Sequence, residues 1–270
     1  MRKRKGKILL GVLAIVAVSV MLSACGNKEV GLKKIRGGYT ASDFTQADVE
    51  SDTIQWICAA YAIYSEYNSK SLVTVGGLEE EDRKWYQENI KTALSEGWGI
   101  NGRKDVYPTV KRLVEKGHKE EYRKVIKRME RKGLLSISEE DVMAKLPEDE
   151  NLPRYQTAYE AYQKYGEYGI DGWDYCRALQ ILGDCYQAEY INLEECLNLS
   201  LPIAQKLQSI YSGWEGVAEG YLYGYSFWQK ELPEDYDSRA RWDIYEELKE
   251  MPDGPYQIAY DTKLENTWRK

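Results

Sequence analysis

The chain has 270 residues, with 37 Lys and Arg against 44 Asp and Glu, and a formal net charge of −7. Because a nucleic-acid-binding domain needs a basic stripe or patch, this acidic balance with scattered basic residues argues against a nucleic-acid partner. The presence of one histidine only, His118, excludes a zinc site built on several histidines.

Residues 1–24 are predicted to be a lipoprotein signal peptide. Five basic residues precede an apolar run from Ile8 to Leu22, which ends in Leu22-Ser23-Ala24-Cys25. This ending resembles the bacterial lipobox, which implies cleavage before Cys25, a diacylglyceryl thioether on its sulfur and acyl chains such as palmitate. An uncleaved transmembrane anchor is the alternative, but the run is shorter than the roughly 20 residues that a spanning helix needs.

Removal of this segment, which holds five basic and no acidic residues, lowers the net charge from −7 to −12. The domain is also expected to lack a polybasic patch that would press it onto anionic lipid. Several acyl chains together anchor a protein stably, so we expect the lipidated Cys25 to hold the protein in the bilayer. The expected location is the extracytoplasmic face of the cell membrane.

The first half of the chain is predicted to be helical after a flexible tether over 25–42. Apolar residues at helical spacing predict one helix over 45–67 and another over 79–96. In the second of these, Trp85 and Tyr86 are expected to face the core, and Gly97 to end the helix. Ser138 to Asp141 has the spacing of a capping box.

The acidic stretch 147–151 is predicted to be an exposed linker, which places a sub-boundary near 147–152. In the second half, a helix over 172–188 is followed by two helices that open with capping-box spacing, at Asn192–Glu195 and Ser212–Glu215. The chain is expected to end with a helix over 237–251 and then either an extended segment or a frayed helix.

Three glycines four residues apart, Gly216, Gly220 and Gly224, lie on one side of the helix that follows Ser212. Glycine costs a helix about 1 kcal/mol relative to alanine, so the repeat indicates that a neighbouring backbone or a ligand comes close there. Packing against a neighbouring helix is the simpler interpretation.

Together these patterns predict an all-α, compact domain of about eight to ten helices over 43–232, with a C-terminal extension over 233–270. One short hairpin or an extended C-terminal segment is left open. Four cysteines remain after Cys25: Cys58, Cys176, Cys185 and Cys196. Free, buried thiols are the simplest expectation, and a Cys185–Cys196 bridge is the best exception at an extracytoplasmic address.

Over about residues 45–230, the order and spacing of several short motifs resemble the bacterial domain-of-unknown-function family 1266. The motifs are Gly97-Trp98-Gly99-Ile100-Asn101, Gly117-His118, Trp173-Asp174 with Arg177, Pro202-Ile203-Ala204 with Gln208, Ser212-Gly213-Trp214-Glu215, Tyr221-Leu222 with Gly224, and Phe227-Trp228. Gly213 is an insertion relative to the family's usual Ser-Trp-Glu. The resemblance implies an all-helical domain and no established reaction.

The candidate residues for a pocket or a partner-binding surface are Trp98, Trp173, Asp174, Arg177, Trp214, Tyr221 and Trp228. Asp174 and Arg177 lie three apart on one helix face, where they could contact a ligand or form an ion pair that fixes helix packing. No catalytic residue is predicted, because a Ser-His-Asp or Cys-His device would have to use His118, which follows a helix-ending glycine. No metal-ligand set or cofactor fingerprint is found.

Three functions remain open for the domain. The favoured one is a non-enzymatic module that binds an unknown protein or small molecule. The second is an envelope or extracellular glycan hydrolase that uses acidic residues, although a chain with 44 acidic residues supplies carboxylate pairs by chance. The third is a structural or assembly factor.

Overall fold

The computed structural model describes residues 29–146 and 148–268, so the predicted signal peptide and Cys25 lie outside the described residues. Within the described ranges every regular element is helical and no strand occurs, which confirms the predicted all-α fold. The helices are α1 (Asp52–Ala60), α2 (Ala62–Tyr67), α3 (Glu80–Trp98), α4 (Arg103–Glu115), α5 (Lys119–Arg131), α6 (Glu139–Met143), α7 (Leu152–Tyr165), α8 (Asp171–Gln187), α9 (Leu193–Ile210), α10 (Trp214–Gln229) and α11 (Tyr236–Glu250).

Helices α8 and α10 form the centre of the domain. Fifteen of the seventeen residues of α8 and thirteen of the sixteen of α10 are buried, as expected for helices enclosed on all sides. Helices α4 and α9 pack against α8, and α7 packs against α10. The main core lies around α8, and a second core lies around Tyr122 of α5 and Phe227 of α10. Helix α10 contributes side chains to both cores.

The glycine stripe of α10 allows this close packing. A Cβ on Gly224 would lie 2.0 Å from the Cβ of Trp173, and one on Gly220 would lie 2.3 Å from the Tyr211 hydroxyl. On the facing helix, a Cβ on Gly172 would lie 2.7 Å from the carbonyl oxygen of Val217. The stripe therefore serves packing, of Gly224 against α8 and of Gly216 and Gly220 mainly against Tyr211 at the end of α9, as the simpler interpretation holds.

Two of the three expected capping boxes place the helix start correctly. Asn192 accepts a hydrogen bond from the backbone N–H of Glu195, whose side chain accepts one from Asn192 N–H. The Ser138 side chain caps α6 through the N–H of Asp141. At Ser212–Glu215 the prediction is wrong, because the helix begins at Trp214 with Gly213 as its N-cap and no side chain caps it.

Several details of the first half differ from the prediction. The first helix begins at Asp52 and is broken at Tyr61, whose backbone leaves helical geometry at φ −116° and ψ 22°. Counted as one broken helix, α1 and α2 bring the described helices to ten. In α3, Trp85 and Tyr86 are 84% and 50% exposed, because this helix buries only Ile90 and Leu94 near its C-terminal end.

The helix α3 also ends later than expected. It continues through Gly97 to Trp98, and Gly99 is the residue in the left-handed region, with φ +67°. Glycine tolerates this conformation because it has no Cβ. Gly97 is an ordinary helical residue that has open space around it.

All four cysteines of the described residues are free and buried, so the Cys185–Cys196 bridge is wrong. Burial raises the pKa of the Cys58 and Cys196 thiols to about 12. At neutral pH both thiols are therefore protonated and unreactive, since the thiolate is the reactive form. They behave as small apolar core residues.

Both ends of the described chain lie on the domain. Residues 29–42 have no helix, yet Val30, Leu32 and Ile35 pack against the main core. At the other end, a single 3-10 turn over Pro255–Gln257 is followed by a segment without helix, so the extended alternative is correct from residue 258 to 268. The indoles of Trp56 and Trp214 donate to the carbonyl oxygens of Tyr260 and Ile258, respectively. The described residues contain no helix that combines the length and the apolar character needed to cross a bilayer.

The contact between α8 and α10 predicts opposite effects for two glycine substitutions. Gly224→Ala is expected to lower the free energy of unfolding by about 1–3 kcal/mol, because the added methyl overpacks the contact with Trp173. Gly97→Ala, the matched control in open space, should stabilise the protein by up to about 1 kcal/mol. Urea unfolding followed by circular dichroism measures both, and equal stability of the two variants would contradict the packing described.

Candidate functional site

The site is organised by Asp174, which lies in the first turn of α8 and is fully buried. Its Oδ1 accepts the backbone N–H of His118 at 3.0 Å, and its Oδ2 accepts that of Lys119 at 2.8 Å. These N–H groups open α5, so a carboxylate from α8 caps the positive end of another helix. The guanidinium of Arg177 donates to the same Oδ1 at 2.6 Å. The interpretation of Asp174 and Arg177 as an intrahelical ion pair is thus correct.

The turn before α5 accepts this carboxylate because Gly117 has no side chain. Gly117 has φ +56°, and a Cβ there would lie 2.2 Å from Asp174 Oδ2. Any larger residue would collide with the carboxylate and would be strained in the left-handed region. Gly117 therefore allows α5 to begin directly on Asp174.

His118 is held in one orientation beside this ion pair. Its Nδ1 accepts the indole N–H of Trp173 at 3.0 Å and lies 2.9 Å from Arg177 Nη2. Since indole and guanidinium nitrogens only donate hydrogen bonds, Nδ1 is the acceptor and the proton of the neutral ring is on Nε2. Burial lowers the pKa of His118, and the charge of Arg177 lowers it further against the opposing effect of Asp174.

Arg177 lies between two indole rings. Its guanidinium carbon is 4.1 Å from the ring centroid of Trp173 and 5.3 Å from that of Trp98. A guanidinium over an aromatic face is attracted by the negative face of the ring. Burial lowers the pKa of Arg177, and Asp174 opposes that change.

A second stacked arginine, Arg241 of α11, lies nearby. Its guanidinium carbon is 3.8 Å from the ring centroids of both Tyr67 and Tyr225. Burial raises the pKa of Tyr221 to about 12, while the charges of Arg241 and Arg177 act in the opposite direction. The charges of both guanidinium groups therefore act on the Tyr221 phenol. Among the described residues, no carboxylate forms an ion pair with Arg241.

Trp228 forms the solvent-facing edge of this cluster. It is 43% exposed and stacks on Trp173 with ring centroids 5.7 Å apart. It also lies 6.3 Å from the ring of His118 and 5.9 Å from that of Tyr225. We call the group the arginine–aromatic surface; it comprises Trp98, His118, Trp173, Arg177, Tyr221, Tyr225, Trp228 and Arg241.

A cleft lies beside Asp184, further along α8. Asp184 lies seven residues after Arg177, so both occupy one face of α8 about 10 Å apart. Lys70 Nζ lies 2.7 Å from Asp184 Oδ1. Burial raises the pKa of Tyr64, and the neighbouring Asp184 carboxylate raises it further. The cleft has a volume of about 480 Å³, and Tyr86 also lines it.

Six of the seven sequence-predicted site residues meet at the arginine–aromatic surface or directly beneath it, and Trp214 does not. Trp214 packs against Trp56 with ring centroids 4.8 Å apart and against Tyr260 at 5.3 Å. It lies fourteen residues before Trp228 on α10, which corresponds to about 21 Å along the helix. Trp214 therefore anchors the extended C-terminal segment instead of lining the surface.

The sequence did not single out Arg241 as a site residue, nor did it indicate that His118 contacts Trp173 and Arg177. Arg241 lies in the helix predicted over 237–251. Its position in that helix does not distinguish it from an ordinary surface arginine. For His118, the adjacent Gly117 was a usable signal, since a left-handed glycine directly before a helix marks a close approach. No group of three or more potential metal ligands is present in the part of the chain that the structure describes.

The comparisons with known proteins agree with the family resemblance. A family model described as "Protein of unknown function (DUF1266)" matches residues 93–260, a range that begins and ends later than the resemblance in the sequence. The "Uncharacterized protein YbeR" of Escherichia coli (strain K12) is 30% identical over 142 residues, which are 53% of this chain and 58% of that relative. The match thus spans little more than half of the relative's length. No solved structure matches the chain.

The environment of His118 predicts its titration. Its pKa in the folded protein should lie below the ordinary value of about 6.5, because burial and Arg177 disfavour the charged ring. Below pH 6.5 the unfolded chain then binds more protons than the folded one, so stability falls as the pH decreases. Because His118 is the only histidine, one imidazole signal in an NMR titration of the untagged protein reports both its pKa and its tautomer.

The matched variant His118→Asn should show a weaker loss of stability between pH 7 and pH 5. A titration midpoint at or above 6.5, or a proton on Nδ1, would contradict the geometry described for His118.

Proposed function

The chain belongs to the DUF1266 family of proteins of unknown function, and we propose that it is an extracytoplasmic, lipid-anchored protein that binds a partner molecule at its arginine–aromatic surface. The proposal has two parts, a binding surface and an anchor. The first rests on the geometry of the described residues and the second on the sequence around Cys25.

The observation that carries the binding function is the environment of Arg241. Its charge lies between two tyrosine rings, beside Tyr221 and close to a second stacked arginine, with no ion-pair partner among the described carboxylates. In a protein with an excess of acidic residues, this local positive charge favours an anionic group of a ligand. A charge-assisted hydrogen bond from an arginine to a carboxylate is stronger than one between neutral groups.

The aromatic rings define the remainder of the ligand. Trp228 offers an exposed indole face, and His118 has an Nε2–H without a hydrogen-bond partner among the described residues. An indole face beside a hydrogen-bond donor suits a sugar ring, or a flat ring with polar edges. We therefore propose a ligand that combines such a ring with a carboxylate, as soluble cell-wall glycopeptides do.

Binding is favoured over catalysis because the acid and base groups here are already engaged. Asp174 accepts two backbone N–H groups and pairs with Arg177. The basic nitrogen of His118, Nδ1, accepts two donors. Neither group is free to remove a proton from a ligand in this arrangement.

The anchor is supported by the lipobox-like sequence Leu22-Ser23-Ala24-Cys25. Full-length protein expressed in bacteria should be cleaved before Cys25, carry acyl chains and remain with membranes after a high-salt wash. Cys25→Ala should abolish cleavage and lipid attachment, and globomycin should block the processing of the wild type. Mass spectrometry of the N-terminal peptide measures both, and a mature N-terminus elsewhere or without lipid would contradict the anchor.

The binding surface is tested by titrating the protein with soluble cell-wall glycopeptides in a calorimeter. Arg241→Gln should weaken binding by about 10- to 100-fold, since it removes a charged hydrogen bond worth about 1.5–3 kcal/mol, and Trp228→Ala should weaken it as well. Trp85→Ala is the matched control, because Trp85 is an 84% exposed indole near the start of α3, about 20 Å along the helix from Trp98. Its affinity should equal that of the wild type.

Each variant is checked for an unchanged far-UV spectrum and melting temperature. Binding that is unaffected by both surface variants would contradict the proposal. Release of glycan fragments without added metal would instead favour the hydrolase alternative.

A further inference from the structure

The segment that follows the predicted lipid site is docked along α4. At one end, Glu29 and Val30 line a cavity of about 520 Å³ together with Val114, Lys116 and Arg123. At the other end, Arg103 donates to the carbonyl oxygens of Gly37 and Arg36 at 3.1 and 3.4 Å. The segment therefore runs antiparallel to α4, with its N-terminal end at the turn between α4 and α5.

This docking fixes which end of the domain lies near Cys25. Four residue steps separate Cys25 from Glu29, and a fully extended chain spans at most about 3.6 Å per residue. The chain from Cys25 to Glu29 can therefore span at most about 14 Å. If Cys25 carries the lipid, as the proposed function requires, then the α4–α5 turn is the end of the domain closest to the bilayer.

The helices α4 and α5, which meet at this end, are rich in basic residues, although the cavity itself is also lined by the carboxylates of Glu29, Glu115, Glu167 and Asp171. Residues 103–132 contain twelve Lys and Arg against five Asp and Glu, although the protein as a whole is acidic. In α5, Arg123, Lys127 and Arg131 are four residues apart and so lie on one side of the helix. Arg123 lines the same cavity as Val30 and Lys116. We call Lys116, Arg123, Lys127 and Arg131 the basic stripe.

The charges of the basic stripe are largely available to an outside anion. Lys116, Lys127 and Arg131 are exposed, and none of them forms an ion pair with a described carboxylate. Arg123 is half-buried and pairs with Asp171. The expectation that the domain lacks a polybasic patch was drawn from the linear sequence, whereas in the fold these separated basic residues lie along α5 and the turn before it.

We propose that the basic stripe binds the anionic headgroups of the membrane that holds Cys25, so that the domain has a fixed orientation on the bilayer. The inference rests on the proposed lipid anchor, and two observations support it: the place where the docked segment ends, and the exposed basic residues of the turn and of the helix α5 that starts there. Positively charged side chains next to a membrane are attracted by anionic lipid within about a Debye length. The short chain from Cys25 to Glu29 keeps the start of the stripe, at Lys116 and Arg123, close to the bilayer, and α5 carries Arg131 about 12 Å further along the helix.

The test uses the mature lipidated protein reconstituted into vesicles of phosphatidylcholine, with and without 30% phosphatidylglycerol. A membrane-impermeant amine reagent labels accessible lysines, and mass spectrometry measures the labelling rate at each lysine. At low salt, phosphatidylglycerol should slow the labelling of Lys116 and Lys127 several-fold. Lys84 of α3 and Lys249 of α11 serve as internal controls and should be unaffected, and 0.5 M salt should remove the difference.

A charge-reversed variant tests the stripe itself. In the wild type, phosphatidylglycerol should also slow the labelling of Lys124, a lysine of α5 next to the stripe. The variant Lys116→Glu/Lys127→Glu/Arg131→Glu should lose this effect on Lys124. The matched control is Lys84→Glu/Arg239→Glu/Lys249→Glu, which changes the net charge equally at exposed positions elsewhere. It should keep the slowed labelling of Lys116 and Lys127.

Failure of this inference is distinguishable from failure of the lipid anchor. Vesicle flotation and the mass of the N-terminal peptide report the anchor independently of the labelling. Protein that floats with the vesicles but shows equal labelling in both lipid mixtures would overturn the orientation and leave the anchor intact. If slow labelling of these lysines required an added soluble protein fraction and did not require phosphatidylglycerol, the stripe would bind a protein partner. That result would also overturn the proposal.

Discussion

The buried carboxylate of Asp174 is the interaction on which the surrounding structure depends. It joins α8 to the start of α5 through two backbone N–H groups and fixes Arg177 between two indoles. Unpaired, a carboxylate at this depth would be very costly. The ion pair with Arg177 and the start of α5 after Gly117 are therefore both needed to stabilise the Asp174 carboxylate. Helix packing and site geometry consequently depend on the same group, because the Asp174 carboxylate both joins α8 to α5 and orients the side chains at the edge of the core.

The sequence predicts the central part of this fold well. The glycine stripe, the capping box at Asn192 and the pairing of Asp174 with Arg177 all follow from local spacing, since each involves partners within one helix or at its start. The errors have non-local causes. Trp85 and Tyr86 have helical spacing like core residues, but only tertiary packing decides that the first half of α3 lies outside the core.

The candidate site was predictable to the extent that its residues share α8 and α10. Trp173, Tyr221 and Trp228 come together because those two helices pack face to face along their glycines. Trp214 was grouped with them by residue type, although its helix carries it to the opposite end of α10. Arg241 enters from α11, and the docked segment from residues 29–37, so neither contact is encoded by spacing within one helix.

The sharing of α10 between the two cores has a consequence for how the chain can be divided. The exposed stretch 148–150 separates the halves in sequence, yet Tyr223 and Phe227 of the second half complete the core around Tyr122 of the first. A cut in this stretch would leave two fragments with complementary apolar faces, each lacking the other's half of a core. Such fragments would remain associated as a non-covalent heterodimer, and the same stretch is where the chain would tolerate circular permutation or the insertion of a foreign segment.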